Sequence, residues 1–214
     1  VDEGVKYNHP DLVDNMWVNE AEKSGQPGVD DDGNGVVDDV HGYCCSRGNG
    51  NITWNEGSFK VVDGYTFWDG DVGHGTHVAG TVAAVNNNGI GVSGVAGGTG
   101  NNDGVRIMSI QIFNGDSGSS LSQNAKGIEY AADNGACILQ NSWGYPLQEG
   151  QTMSDSDYQS GFSVELSAIR YFVGKSNCSA MQGNVVIFAA GNDGKATADY
   201  PGAYNEFIAV TAYA

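Results

Sequence analysis

The chain of 214 residues carries a formal charge of −17 and a sequence pI near 4.2, which argues against nucleic acid or an anionic membrane surface as partner. Its length suffices for one α/β domain with a real core, and no apolar run approaches a membrane span. Thirty-three glycines against four prolines point to many tight turns between packed elements rather than to a disordered chain.

In chain order, Val1 to Val5 reads as the last part of a strand, with Asp2 at its end. It begins abruptly, and Glu206 to Ala212 stops inside an apolar run, so both ends read as boundaries of a truncated domain. Residues 13–71 are polar and rich in Gly, Asp and Asn, and are expected to be an insertion of surface loops. A helix is expected over Gly75 to Val85, with Gly75, Ala79, Gly80 and Ala83 small enough for close packing. Val105 to Phe113 has the look of a buried strand, followed by a turn at Asn114 to Gly118 and a helix over Leu121 to Asp133. Asn134-Gly135 suits a left-handed cap to that helix.

Ala136 to Gln140, Asn184 to Ala190 and Phe207 to Thr211 read as three further strands. Between the first two, Phe162, Leu166, Ile169 and Val173 fall on one face of an amphipathic helix. Alternating strands and helices predict an α/β fold: a three-layer, doubly wound, mostly parallel sheet with helices on both faces. In such sheets ligands gather beyond the carboxyl ends of strands, so functional residues are expected just after each apolar run.

The densest acidic stretch is Asp30-Asp31-Asp32-Gly33-Asn34-Gly35-Val36-Val37-Asp38-Asp39. Asp30, Asp32 and Asn34 fall at positions one, three and five of a calcium loop, Gly35 at the sharp turn, and the Val36 carbonyl at position seven. Asp38 or Asp39 would complete the oxygen shell of Ca2+. His41 stands where an EF-hand has its glutamate and no helical pattern flanks the loop, so this is not a whole EF-hand. Five carboxylates in ten residues repel one another unless a cation offsets them. The cysteines Cys44, Cys45, Cys137 and Cys178 match no metal spacing, and are either disulfides of a secreted protein or free thiols.

Two segments carry a family resemblance. Asp2-Glu3-Gly4-Val5 with His9-Pro10-Asp11-Leu12, and Gly73-His74-Gly75-Thr76-His77-Val78-Ala79-Gly80-Thr81, resemble the aspartate and histidine blocks of the subtilase family of serine peptidases. The resemblance implies that Asp2 orients His74, that His74 is the general base, and that His77 packs. Phe188-Ala189-Ala190-Gly191-Asn192 resembles the family's oxyanion segment, which makes Asn192 the oxyanion donor and puts Ala190 and Gly191 at the substrate cleft. Asn141-Ser142-Trp143-Gly144 resembles a cleft-lining segment whose backbone pairs with an extended peptide, with Ser142, Trp143 and Gly144 on one side and Gly115 to Gly118 on the other. Trp143 either shapes the primary pocket or packs in the core. Asp11 with Val85, Asn87 and Val92 resembles the family's second calcium site, where Asn87 and Asn88 are not distinguishable by sequence.

Gly115-Asp116-Ser117-Gly118 looks like the nucleophile motif of trypsin-like peptidases, but the companion motifs are absent and Ser117 is expected in a turn. The subtilase nucleophile segment Gly-Thr-Ser-Met-Ala does not occur in these residues. The resemblance therefore implies a secreted or cell-surface, bacterial, calcium-stabilised endopeptidase acting on polypeptides, made with a prodomain, of which this chain is a part inactive alone. The alternative is a non-catalytic calcium-binding or scaffolding relative.

Overall fold

A computed structural model describes residues 1–53, 58–69, 73–115, 117–148 and 151–212. The chain divides into two units, Asp2–Gln123 and Asn124–Ala214, the latter also holding Val1.

In the first unit, a short helix α1 (Glu20–Ser24) is followed by β1 (Gly42–Cys44), the hairpin β2 (Ser58–Val62) and β3 (Tyr65–Asp69), and helix α2 (Gly73–Ala83). Then come β4 (Ser109–Gln111) and the small antiparallel pair β5 (Phe113–Asn114) and β6 (Ser117–Gly118). β4 is the centre. It pairs in parallel with β1, Gly42 to Ser109 through Cys44 to Gln111, and its other edge takes Asp2, whose N–H donates to the Ile110 carbonyl at 3.0 Å. Both β1 and β4 are buried throughout. The expected strand from Val105 is thus shortened, because Ile107 instead exchanges backbone hydrogen bonds with Asn15 and Trp17.

One expectation is corrected here. The segment 13–71 is not only surface loop, since β1 lies inside it and supplies a buried parallel strand. Gly42 is what permits the pairing: its φ is +141°, and a Cβ there would lie 1.9 Å from the Ser109 carbonyl oxygen.

α2 buries Gly75, Ala79 and Ala83, spaced four apart, and Ala79 joins a core of Val5, Leu12 and Met16. Its other face carries His74, His77 and Thr81, all exposed. His77 therefore does not pack, for it follows His74 by three residues and shares its outward face. Gly80 is not a packing residue either, since a Cβ built there meets no atom within 4 Å. Asn15, 1% exposed, ties the helix end to its surroundings: its amide donates to the Ala83 carbonyl at 2.9 Å and the Gly97 carbonyl at 3.2 Å, and its Oδ1 accepts from Arg106 at 2.7 Å.

Helix α3 (Leu121–Asp133) leads into the second unit and ends, as the sequence predicts, before a left-handed Gly135 with φ +87°. That unit contains β7 (Ile138–Asn141), α4 (Asp155–Gly161), α5 (Ser163–Gly174), β8 (Val185–Ala189) and β9 (Ile208–Val210). The three strands form a parallel sheet in the order β7-β8-β9, with Asn141 opposite Phe188 and Ala189 opposite Val210. α4 starts on a capping box in which Ser154 and Asp157 satisfy each other's backbone N–H groups.

The buried face of α5 is Leu166, Ile169 and Phe172, each worth about 1.5–3 kcal/mol on full burial. Val173, expected on that face, is 41% exposed; Phe172 fills the position one residue earlier and with more apolar area. Glu165 is fully buried on the same helix and accepts from the hydroxyls of Tyr145 at 2.7 Å and Tyr158 at 2.9 Å. Burial pushes its carboxyl up from the ordinary range, while the two phenols oppose that rise.

Candidate active site

The strongest constellation lies in the first unit. The His74 ring directs Nδ1 at both carboxylate oxygens of Asp2, at 2.8 and 3.1 Å. Asp2 is 7% exposed and also accepts the Glu3 N–H at 2.8 Å, so its carboxylate is fixed by two donors. The histidine side chain remains 58% exposed. The hydrogen bond to Asp2 holds the imidazole above its ordinary pKa; partial burial opposes this, and the charges of Asp2 and Glu3 add to it. With Nδ1 committed, Nε2 is the nitrogen left to move a proton.

Two features bring these groups together. A Cβ at position 75 would lie 2.0 Å from the Gly4 carbonyl oxygen and 3.2 Å from Asp2 Oδ1, so only glycine allows α2 to approach the Asp2–Gly4 segment. Glu3, a residue that sequence reasoning missed, accepts the His74 backbone N–H through Oε1. That N–H is one of the donors a helix start leaves unpaired, and an anion there also meets the positive end of the helix dipole. The signal was adjacency to Asp2, which a motif centred on the aspartate passes over. Gln111, fully buried, donates to the Glu3 carbonyl at 2.7 Å and holds the same segment from β4.

In the acidic loop the carboxylates of Asp30 and Asp32 come together with Glu22 of α1, one oxygen of each lying within 4.8 Å of the others. Glu22 had no sequence signal, since it lies outside the loop spacing. It is 6% exposed and accepts from the backbone N–H groups of Asp31 at 2.6 Å and Asp38 at 2.9 Å. Asn34 donates to Asp32 at 3.0 Å and to Asp39 at 2.9 Å, and its Oδ1 accepts the Val36 N–H. Asp39 is fully buried and also accepts from Asn19, whereas the Asp38 carboxylate turns to the Gly28 N–H. His41 is directed away, its Nδ1 2.9 Å from the Trp17 carbonyl. Clustered carboxylate oxygens are the donor set of a hard dication such as Ca2+.

At the second calcium candidate, Asp11 is 2% exposed and accepts from Asn88 Nδ2 at 2.7 Å and the Val92 N–H at 2.8 Å, while its carbonyl accepts the Val85 N–H. Asn88 is thus the residue brought to Asp11. Asn87, the residue named by resemblance, has φ +61° and donates to the Thr99 carbonyl instead. Gly91 leaves room for the Asp11 carboxylate, which a Cβ would approach to 2.1 Å.

In the second unit, Asn192 is exposed just beyond β8 and follows Gly191, whose φ of +94° and closeness to Asp199 exclude a side chain. Ala190 and Gly191 line a pocket of about 300 Å³ with Lys195, Asp199, Ala209 and Thr211. Trp143 packs rather than opening to solvent: it is 7% exposed, donates to Asn141 Oδ1 at 3.2 Å and meets Tyr145 and Phe188 edge-on. Ser142 accepts from Gln140 at 2.7 Å, and Gly144 lies beside the Tyr200 carbonyl, to which Tyr145 donates. Back in the first unit, Gly115 has φ +63° and Ser117 is exposed in the β5–β6 pair opposite Asn114, while Asp116 lies outside the described residues.

Subtilisin-like protease 1 of Plasmodium vivax is 33% identical over 84% of this chain and 24% of its own length. Thermitase of Thermoactinomyces vulgaris is 34% identical over 71% of this chain and 47% of its own. The chain thus spans about a quarter to a half of the curated relatives it matches. Among solved structures, sphericase superposes with a TM-score of 0.55 at 22% identity over 98% of this chain and 50% of the other. The nisin leader peptidase of Lactococcus lactis gives 0.55 at 23% identity over 97% and 53%. Both show the same α/β fold. Residues 1–214 match the Peptidase S8 profile, and the chain belongs to the subtilase family.

Proposed function

We propose that this chain supplies the acid and base of a serine endopeptidase that cleaves polypeptides through an Asp-His-Ser triad. The observation that carries the reading is the Nδ1 hydrogen bond from His74 to the buried Asp2 carboxylate, with the ring otherwise open to solvent. Asp2 selects the tautomer and stabilises the imidazolium, and His74 takes the proton of an attacking serine through Nε2. Asn192 donates to the oxyanion, a contact worth about 3–4 kcal/mol in the transition state. In the second unit, Ser142 to Gly144 with Ala190 and Gly191 bind peptide backbone, and in the first unit the Gly115–Gly118 segment has the same role.

The family's Gly-Thr-Ser-Met-Ala segment is not among these 214 residues, so they are inactive by themselves in this reading. Ca2+ is held by Glu22, Asp30 and Asp32 with oxygens of Asn34, Val36 and Asp39, and a second ion by Asp11 with Asn88; it supplies charge neutralisation and stability. The protein is secreted or displayed at a cell surface and matures from a precursor with a prodomain. No helix among the described residues is long and apolar enough to cross a membrane.

A fluorophosphonate probe tests the reading. The full-length protein is expected to label at one serine and to lose labelling in the His74→Ala variant, while the 214-residue chain stays unlabelled. A full-length protein that binds Ca2+ but never labels would instead be a non-catalytic scaffolding relative.

A further inference from the structure

Cys137 and Cys178 are distant in sequence but share one corner of the second unit. Cys137 stands just before β7, and its carbonyl accepts the Val185 N–H at 3.0 Å. Cys178 follows α5, and its carbonyl accepts the Met181 N–H at 3.1 Å. Asn177 joins the two segments, because its amide donates to the carbonyls of Ala132 at 2.7 Å and Ala136 at 2.9 Å. The residue before Cys178 is therefore bonded to the residue before Cys137. Asn184 reinforces the clamp, donating to the Ala136 carbonyl at 3.0 Å and accepting the Asn177 N–H at 3.2 Å. The Cys137 thiol donates to the Gly135 carbonyl at 3.6 Å, and burial first, then the neighbouring Cys178, hold it above its ordinary pKa. Both are partly exposed, whereas Cys44 and Cys45 are buried.

We propose that Cys137 and Cys178 are a disulfide site, a crosslink between the start of β7 and the loop after α5, formed with a small-molecule disulfide as oxidant. One cysteine thiolate attacks a sulfur of oxidised glutathione, forming a mixed disulfide and releasing one glutathione thiolate. The second cysteine thiolate then attacks the protein sulfur of that mixed disulfide and expels the second glutathione. Two thiols become one disulfide, and the two protons they lose are taken up by the two glutathione thiolates, so the oxidant becomes two reduced glutathiones. Partial exposure admits the oxidant, and the Asn177 clamp keeps the second thiol within reach once the first has reacted. The bond closes a loop containing β7, α4 and α5, which restricts the unfolded chain more than the folded one.

Peptide mapping tests this directly. The 214-residue chain is incubated with oxidised glutathione, alkylated under native conditions, unfolded, alkylated with a second reagent and digested. The expected product joins the Cys137 peptide to the Cys178 peptide, lighter by two hydrogens than the separate peptides, with Cys44 and Cys45 carrying only the second label. Glutathione or alkyl groups alone on Cys137 and Cys178, or pairing with Cys44 or Cys45, would overturn the proposal. As a second readout, oxidation should raise the Tm of the wild-type chain but not of the Cys137→Ser/Cys178→Ser variant. An equal rise in both would also overturn it.

Discussion

The Asp2–His74 site and the Asp30–Asp39 loop each bury carboxylates, Asp2 in the one and Asp39 with Glu22 in the other, and they do it by opposite means. Asp2 is met by an imidazole that titrates and by a helix that approaches only because position 75 has no side chain. Asp39 and Glu22 are met largely by neutral donors, the amides of Asn19 and Asn34 and the backbone N–H groups of Asp31 and Asp38. The first arrangement balances charge only while the histidine is protonated, and it fails if the backbone shifts. The second uses amide donors that keep their protons across the ordinary pH range, and it gathers oxygens of Glu22, Asp30 and Asp32 within 4.8 Å of one another. One site is therefore expected to respond to steric change and protons, the other to cations.

The largest expected effect breaks the first site by shape. Gly75→Ala places a methyl group 2.0 Å from the Gly4 carbonyl, and is expected to cost about 3 kcal/mol as overpacking. Urea unfolding checks this, and an unchanged midpoint would refute the close approach. Next comes cation removal. With Ca2+ at a hundredfold excess over its Kd, binding adds about 2.7 kcal/mol, so chelator should lower the Tm of the wild type and much less that of Glu22→Gln. An equal loss in both would place the ion elsewhere.

A smaller effect separates the sites by pH. In Asp2→Asn the His74 titration, followed by NMR of its ring protons, should fall toward the ordinary value of about 6.5. Because the folded-state pKa of His74 is raised, its contribution to stability is full below the unfolded value and is lost as pH rises through the folded one. Asp2→Asn should therefore destabilise more at pH 5 than at pH 9. The smallest effect has the opposite sign: Gly80→Ala on the same helix meets open space and should stabilise by about 1 kcal/mol.

Much of this was legible in the sequence where one local signal sufficed. Helix α3 runs from Leu121 to Asp133 as its composition and the following Asn134-Gly135 imply. Asp2 and His74 are legible through the resemblance of their two blocks to the family, and the second block carries Gly75, which the close approach requires. The failures share another cause. β1 is three residues long and looks like loop, and only its pairing with β4 makes it a strand. Val173 and Phe172 are adjacent apolar residues, and which of them is buried depends on the surface below. Asn87 and Asn88 differ only in which one the left-handed turn directs toward Asp11, and Glu22 reaches the loop from a separate helix.

The hydrogen bonds that join the Asp2 segment to the start of α2 link residues 70 to 72 positions apart: Lys6 to Thr76, Glu3 to His74 and Asp2 to His74. On the ribosome the aspartate is thus made long before its histidine, and it waits through the synthesis of the acidic loop, β1 and the β2–β3 hairpin. Each of these must be folded away, or at least not obstruct, before Gly75 can seat against Gly4. The ring orientation of a single histidine therefore serves as a record that everything between the two residues has been placed.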